Sequence, residues 1–227
     1  MNSYKEQTEP KKRVNVFRKH REKVLAQQGA KDAKDNPHKD ATQYELKLAE
    51  LGNDKRRLKL VKSLKRKVEL KQELLPKYLP YVEGVLEAAT GEQDNVLTTI
   101  MVWAIDCGDL TTALLIGEYA LKHKLSTPDQ YKRDLVDLLA EEVAEQAITN
   151  AESNDFDIGS LEHVAELTAE MDMIDQVRAK VHKGLGLTYA NRDRIEEAIP
   201  QLEAALKLDE RAGVKKILDG LKKKANQ

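Results

Sequence analysis

Cys107 stands between two acids, Asp106 and Asp109, in the stretch VWAIDCGD. It is the single cysteine of the chain, and Trp103 four residues earlier is the single tryptophan. A thiol acts as a nucleophile only as a thiolate, which needs a base or a cation beside it. The five histidines are scattered singly and none is placed by sequence next to Cys107. A free cysteine in an apolar helical context is ordinarily a small core residue. The acids offer a second chemistry, since nucleases gather several carboxylates around divalent ions. Asp94, Asp106 and Asp109 are the nearest candidates, but each has a structural role open to it. Asp94 and Asp109 precede apolar helical segments and fit as N-caps. Asp106 falls in the turn between two helices, where aspartate is favoured. No catalytic residue and no metal site is therefore expected, and no GxxxxGK[ST] or GxSxG motif is present. VWAIDCGD reads as a buried hairpin turn, with Trp103 and Ile105 inside, Cys107-Gly108 as the link and Asp109 capping the next helix.

The charge distribution points to a different chemistry. Over the whole chain 38 Lys and Arg nearly balance 39 Asp and Glu. Residues 1–80 hold 22 of those cations against 11 acids, and residues 81–227 hold 16 against 28. A basic arm on an acidic body suits a phosphate-rich partner. The cations fall in two groups. One is Lys11, Lys12, Arg13, Arg18, Lys19 and Arg21; the other is Lys55, Arg56, Arg57, Lys59, Lys62, Lys65, Arg66 and Lys67. The second group sets eight cations in thirteen residues with no acid among them. Along one helix they would repel one another, which favours a charged partner over plain solvation.

The elements that must position these residues are helices. Aromatics are only 4 % of the chain, charged residues are 34 %, and no long run alternates with period two. The expected fold is all-α: basic N-terminal helices including one long helix, then helical hairpins. A first helix is expected over 14–28, stopped by Gly29, with a loop over 29–40. One helix of roughly 45 Å is expected over 41–75. Its apolar stripe is Tyr44, Leu48, Leu51, Leu58, Val61, Leu64, Val68 and Leu75, with the heptad spacing of a partner-helix seam. Pro76 and Pro80 end it. Further helices are expected over 81–90, 94–106, 110–124, 128–150 (opening at Pro128), 160–170, 174–190, 193–208 and 211–224. In the last part Leu185, Gly186, Tyr189, Ala198, Leu202, Ala205 and Leu206 fall on tetratricopeptide positions, with Asp193 where the turn glycine usually stands. This divides the chain into a basic segment 1–40, a basic helix 41–80, a central core 81–150 and a C-terminal hairpin module 151–227. No run of about 18 apolar residues exists, so no membrane span or membrane partner is expected.

The segments ELLPKYLPYVEGVLE (73–87), MVWAIDCGDLTTALLIGEYALKHKL (101–125), LAEEVAEQA (139–147) and ELTAEMDMIDQVRAKVHKGLG (166–186) are specific in type and order. With the basic stretch ahead of them, they resemble the small terminase subunit of peduovirus-type tailed phages, from about residue 44 to about 186. The resemblance implies a DNA-packaging role in the cytoplasm of the bacterial host. It implies binding to the cos site of double-stranded phage DNA through both cation groups. It also implies recruitment of a large subunit, at which Mg and ATP are expected, and a ring-like homo-oligomer. The family often bears the name endonuclease subunit, and a Mg-dependent cos endonuclease on this chain is the alternative reading. A helical adaptor that binds protein rather than DNA is another.

Overall fold

The computed structural model describes residues 16–35, 41–128, 133–152 and 156–226. Every regular element among them is helical, as the composition implies. The order is α1 (Val16–Asp35), α2 (Ala41–Leu60), α3 (Leu64–Leu74), a 3-10 turn at Leu75–Lys77, α4 (Leu79–Ala88), α5 (Asn95–Asp106) and α6 (Leu110–Lys122). Then come α7 (Leu135–Thr149), α8 (Ile158–Leu167), α9 (Asp175–Asn191), α10 (Ile195–Leu208) and α11 (Lys215–Ala225). No helix among the described residues is long and apolar enough to cross a membrane.

The centre of the molecule is α5. Its sequence NVLTTIMVWAID is apolar nearly all round, and every residue from Val96 to Ile105 is buried. A helix with no polar face must be surrounded. Elements α2, α3, α6 and α7 and the 3-10 turn all pack on it. One apolar core extends from Ala26 in α1 to Ala198 in α10. A smaller cluster, Leu202, Ala205, Ala212, Val214 and Leu218, joins α10 to α11.

The expected hairpin turn is present. Gly108 has φ +76, its N–H donates to the Ile105 carbonyl at 2.9 Å, and the Asp109 N–H reaches the Ala104 carbonyl at 2.9 Å. This pair of bonds closes α5 as a Schellman motif, which needs the left-handed residue that glycine supplies. The Asp109 carboxylate then accepts the Thr112 N–H at 3.1 Å and opens α6.

At the C-terminal end α9 and α10 form an antiparallel hairpin. An added Cβ on Gly186 would lie 2.5 Å from the Leu202 side chain and 3.2 Å from its backbone nitrogen, so only glycine permits this approach. Leu185, Tyr189, Ala198 and Ala205 are buried along the same contact.

Three boundaries differ most from expectation. Helix α1 runs through Gly29 to Asp35 rather than stopping there. An interior glycine costs only about 1 kcal/mol, and packing of α1 on α2 and α4 outweighs it. Helix α7 begins at Leu135 behind Asp134, not at Pro128, and residues 129–132 lie outside the described residues.

The third difference matters most. The single helix expected over 41–75 is two helices, separated by Val61-Lys62-Ser63. Ser63 is extended (φ −71, ψ 127) and its hydroxyl accepts the Arg66 N–H at 3.4 Å, so it caps α3. The break lets both halves reach the core. Leu51 and Leu58 of α2, and Leu74 and Leu75 beyond it, are buried within this chain. The stripe is thus split: Leu51, Leu58 and Leu75 are buried within the chain, Leu48 and Leu64 are exposed, and the break at Ser63 interrupts any continuous seam for a partner helix.

Candidate nucleic-acid interface

The corner between α2 and α3 holds the densest cation group, and the structure sorts its members by partner. Lys55 is half-buried and donates to the Thr99 hydroxyl of α5 at 3.3 Å. Arg56 donates to the Asn53 side chain one turn back. Arg57 pairs with Asp54 at 3.3 Å, and Arg66 with Glu69 at 2.7 Å. Lys59, Lys62 and Lys65 are exposed and, like half-buried Lys67, have no ion-pair partner among the described residues. Between Asp54 and Glu69 the sequence supplies no acid to neutralise them.

The corner is anchored from beneath by Asp54, which is only 3 % exposed. Its carboxylate accepts the Tyr78 hydroxyl at 2.7 Å and pairs with Lys77 as well as Arg57. Burial pushes this carboxyl up, but Lys77, Tyr78 and Arg57 together hold it below the usual carboxylate range. Tyr78 in turn meets the Trp103 ring edge-on, with centroids 6.1 Å apart. The tryptophan of VWAIDCGD therefore backs the residue that fixes the basic corner. Sequence spacing carries no sign of this link, because Asp54, Tyr78 and Trp103 lie in three separate segments.

Of the first cation group, Lys19 and Arg21 are exposed on α1. Lys11, Lys12 and Arg13 lie outside the described residues, as does the side chain of Arg18. Lys23, which no motif flagged, pairs with Glu87 at 2.6 Å and Glu83 at 3.4 Å and ties α1 to α4.

The three acids weighed for metal chemistry are not gathered together. Asp94 and Asp106 stand at opposite ends of α5, about 18 Å apart along its axis. The Asp94 carboxylate accepts the Val96 and Leu97 N–H groups at 2.8 and 2.9 Å and the Tyr81 hydroxyl at 2.6 Å. Burial raises the pKa of Asp94 despite those bonds and drives that of Tyr81 up strongly. Asp106 pairs with Lys71 of α3. Asp109 is the cap of α6. Among the described residues no group of three or more His, Cys, Asp or Glu could hold a metal ion. Burial and the neighbouring Asp106 push the Cys107 thiol up to about 11, the opposite of what a nucleophile needs. Its sulfur lies 3.8 Å from the Val68 carbonyl, where α3 crosses the hairpin.

The model of the phage small terminase subunit family matches residues 48–176, from the basic corner through both hairpin caps to the start of α9. The chain belongs to that family. A small terminase subunit works in phage DNA packaging. A relative from Escherichia phage P2, described as "Terminase, endonuclease subunit", is 42% identical over 188 residues, covering 82% of this chain and 76% of that one. No solved structure matches. The stretch of this small terminase subunit that matches the family holds all eight cations of the second group and lacks those of the first.

Proposed function

We propose that this chain is the DNA-recognition subunit of a phage packaging terminase. It binds the cos site of concatemeric double-stranded DNA through the α2–α3 corner and the exposed face of α1, and it brings the large ATPase subunit to that site. The observation that carries the reading is the set of exposed Lys59, Lys62 and Lys65, which have no ion-pair partner among the described residues, on a corner held by Asp54, Lys77 and Tyr78. Lysines held on a rigid mount and given no internal acid are suited to phosphate. The chain acts in the host cytoplasm, and assembly into a ring places several such corners around one duplex. Mg and ATP are used at the large subunit.

The test uses the full chain, because α2 and α3 contribute Leu51, Leu58 and Leu74 to the core and their deletion would unfold it. Fluorescence anisotropy with labelled cos duplex should show tight binding, with a weaker response to a scrambled duplex. Binding equally indifferent to both sequences would remove the recognition role. The word endonuclease in the relative's description supports a second reading, cleavage by this chain itself. Incubating the purified chain with cos duplex and Mg²⁺ decides it. No nicking is expected, and nicking abolished by Asp106→Asn would restore that reading.

A further inference from the structure

Two large apolar side chains stand out at the same corner. Leu60 is 83% exposed and Leu64 is 78% exposed, more than any other large hydrophobic residue described. They flank the break between α2 and α3, with Lys59, Lys62 and Lys65 interleaved between and beside them. The corner is ordered: the Val61 N–H donates to the Leu58 carbonyl at 3.2 Å and the Lys67 N–H to the Ser63 carbonyl at 3.0 Å. A free-standing chain gains nothing by holding two leucines in water on a rigid turn, since burial of such side chains is the main source of folding stability.

We infer that Leu60 and Leu64 form a wedge that enters the minor groove of duplex DNA and partly unstacks a base step, bending the duplex around the corner. This rests on the reading of the corner as the DNA interface and adds its mode of engagement. Aliphatic wedges rimmed by Lys or Arg suit the narrow minor groove, where phosphates of both strands lie close to an inserted side chain. The charge of the rim favours phosphate over a like-charged corner of a second copy. A second copy presenting the same corner would set unpaired lysines against unpaired lysines, whereas a duplex presents phosphate on either side of the inserted leucines. Pyrimidine–purine steps such as TA unstack most readily and are the steps at which the wedge should act.

The experiment uses the full chain, a Leu60→Ser/Leu64→Ser variant, a Lys59→Gln/Lys62→Gln/Lys65→Gln variant and an end-labelled duplex of about 30 base pairs with a central TA step. Anisotropy reads affinity, energy transfer between the duplex ends reads bending, and sedimentation of the free protein reads self-association. The natural chain should shorten the end-to-end distance. The leucine variant should fold normally, because both side chains are exposed. It should bind about tenfold more weakly with an unchanged salt dependence, and leave the duplex straight. Bending that survives in the leucine variant overturns the wedge, as does a natural chain that binds without bending. Loss of self-association in the leucine variant with bending retained assigns the leucines to a second copy and also overturns it. A natural chain that does not bind, matched by the lysine variant, refutes the DNA interface itself, and the wedge falls with it.

Discussion

The α5–α6 hairpin and the α2–α3 corner are neighbours in space and opposites in construction. In the hairpin, polar groups close on the chain itself: Asp94 on two backbone N–H groups and Tyr81, Asp109 on Thr112, Asp106 on Lys71. At the corner, Lys59, Lys62 and Lys65 are exposed with no ion-pair partner among the described residues, and two leucines stand in water. The residues that look most like an active site hold the fold together. The residues that look like an ordinary charged surface are the ones left with unfilled bonding capacity. Completed local bonding marks a structural element, and bonding left open on a rigid mount is the ground for proposing an interface at the corner.

The contrast between hairpin and corner can be broken most severely at Trp103. Trp103→Ala should lower unfolding free energy by about 4 kcal/mol. Chemical denaturation would read this, and a loss below about 1 kcal/mol would show the hairpin core to be slack. Asp94→Ala removes the α5 cap and strands the buried Tyr81 hydroxyl, so a loss of about 3 kcal/mol is expected by the same measurement. Asp54→Asn comes next, with about 1–2 kcal/mol lost near neutral pH through weakened pairing to Lys77 and Arg57. The sign with pH is fixed. The folded Asp54 carboxyl titrates below its unfolded value, so its contribution is present above about pH 4 and disappears as pH falls through the folded value. Denaturation midpoints of the natural and Asp54→Asn chains should therefore converge in acid, and a constant gap would contradict the assignment. The smallest effect lies at Asp193, which has φ +56 at the α9–α10 turn. Asp193→Gly should raise the thermal midpoint, with a gain of up to about 1 kcal/mol, since glycine occupies that region without strain.

The helical class was legible from composition, and the α5–α6 turn from local chemistry. Asp94, Gly108 and Asp109 each act within a few residues of their own position, which is the range over which sequence spacing is informative. The α2–α3 break was hidden for the opposite reason. The apolar residues from Leu51 to Leu75 continue a helical period across Ser63, and only packing against α5 shows that two short helices fit where one long helix does not. Gly29 misled in the same way, because its helix is held by tertiary contact. The basic cluster was visible as composition, and the pairs of Arg57 with Asp54 and Arg66 with Glu69 are local, three residues apart on their own helices; only the contact of Lys55 with Thr99 needed the fold. Leu60 carried one faint signal: it falls off the stripe that includes Leu58 and Val61, inside a run of cations.

The proposed DNA interface is tested most directly by the salt dependence of DNA binding by the full chain and by the Lys59→Gln/Lys62→Gln/Lys65→Gln variant. Each lysine that neutralises a phosphate contributes about 0.9 to the slope of log affinity against log salt. The variant should keep the stability of the natural chain to within about 0.5 kcal/mol, as surface changes do, and lose about 2.7 from that slope. Equal slopes for the two proteins would place the phosphates elsewhere and contradict the corner as the DNA interface.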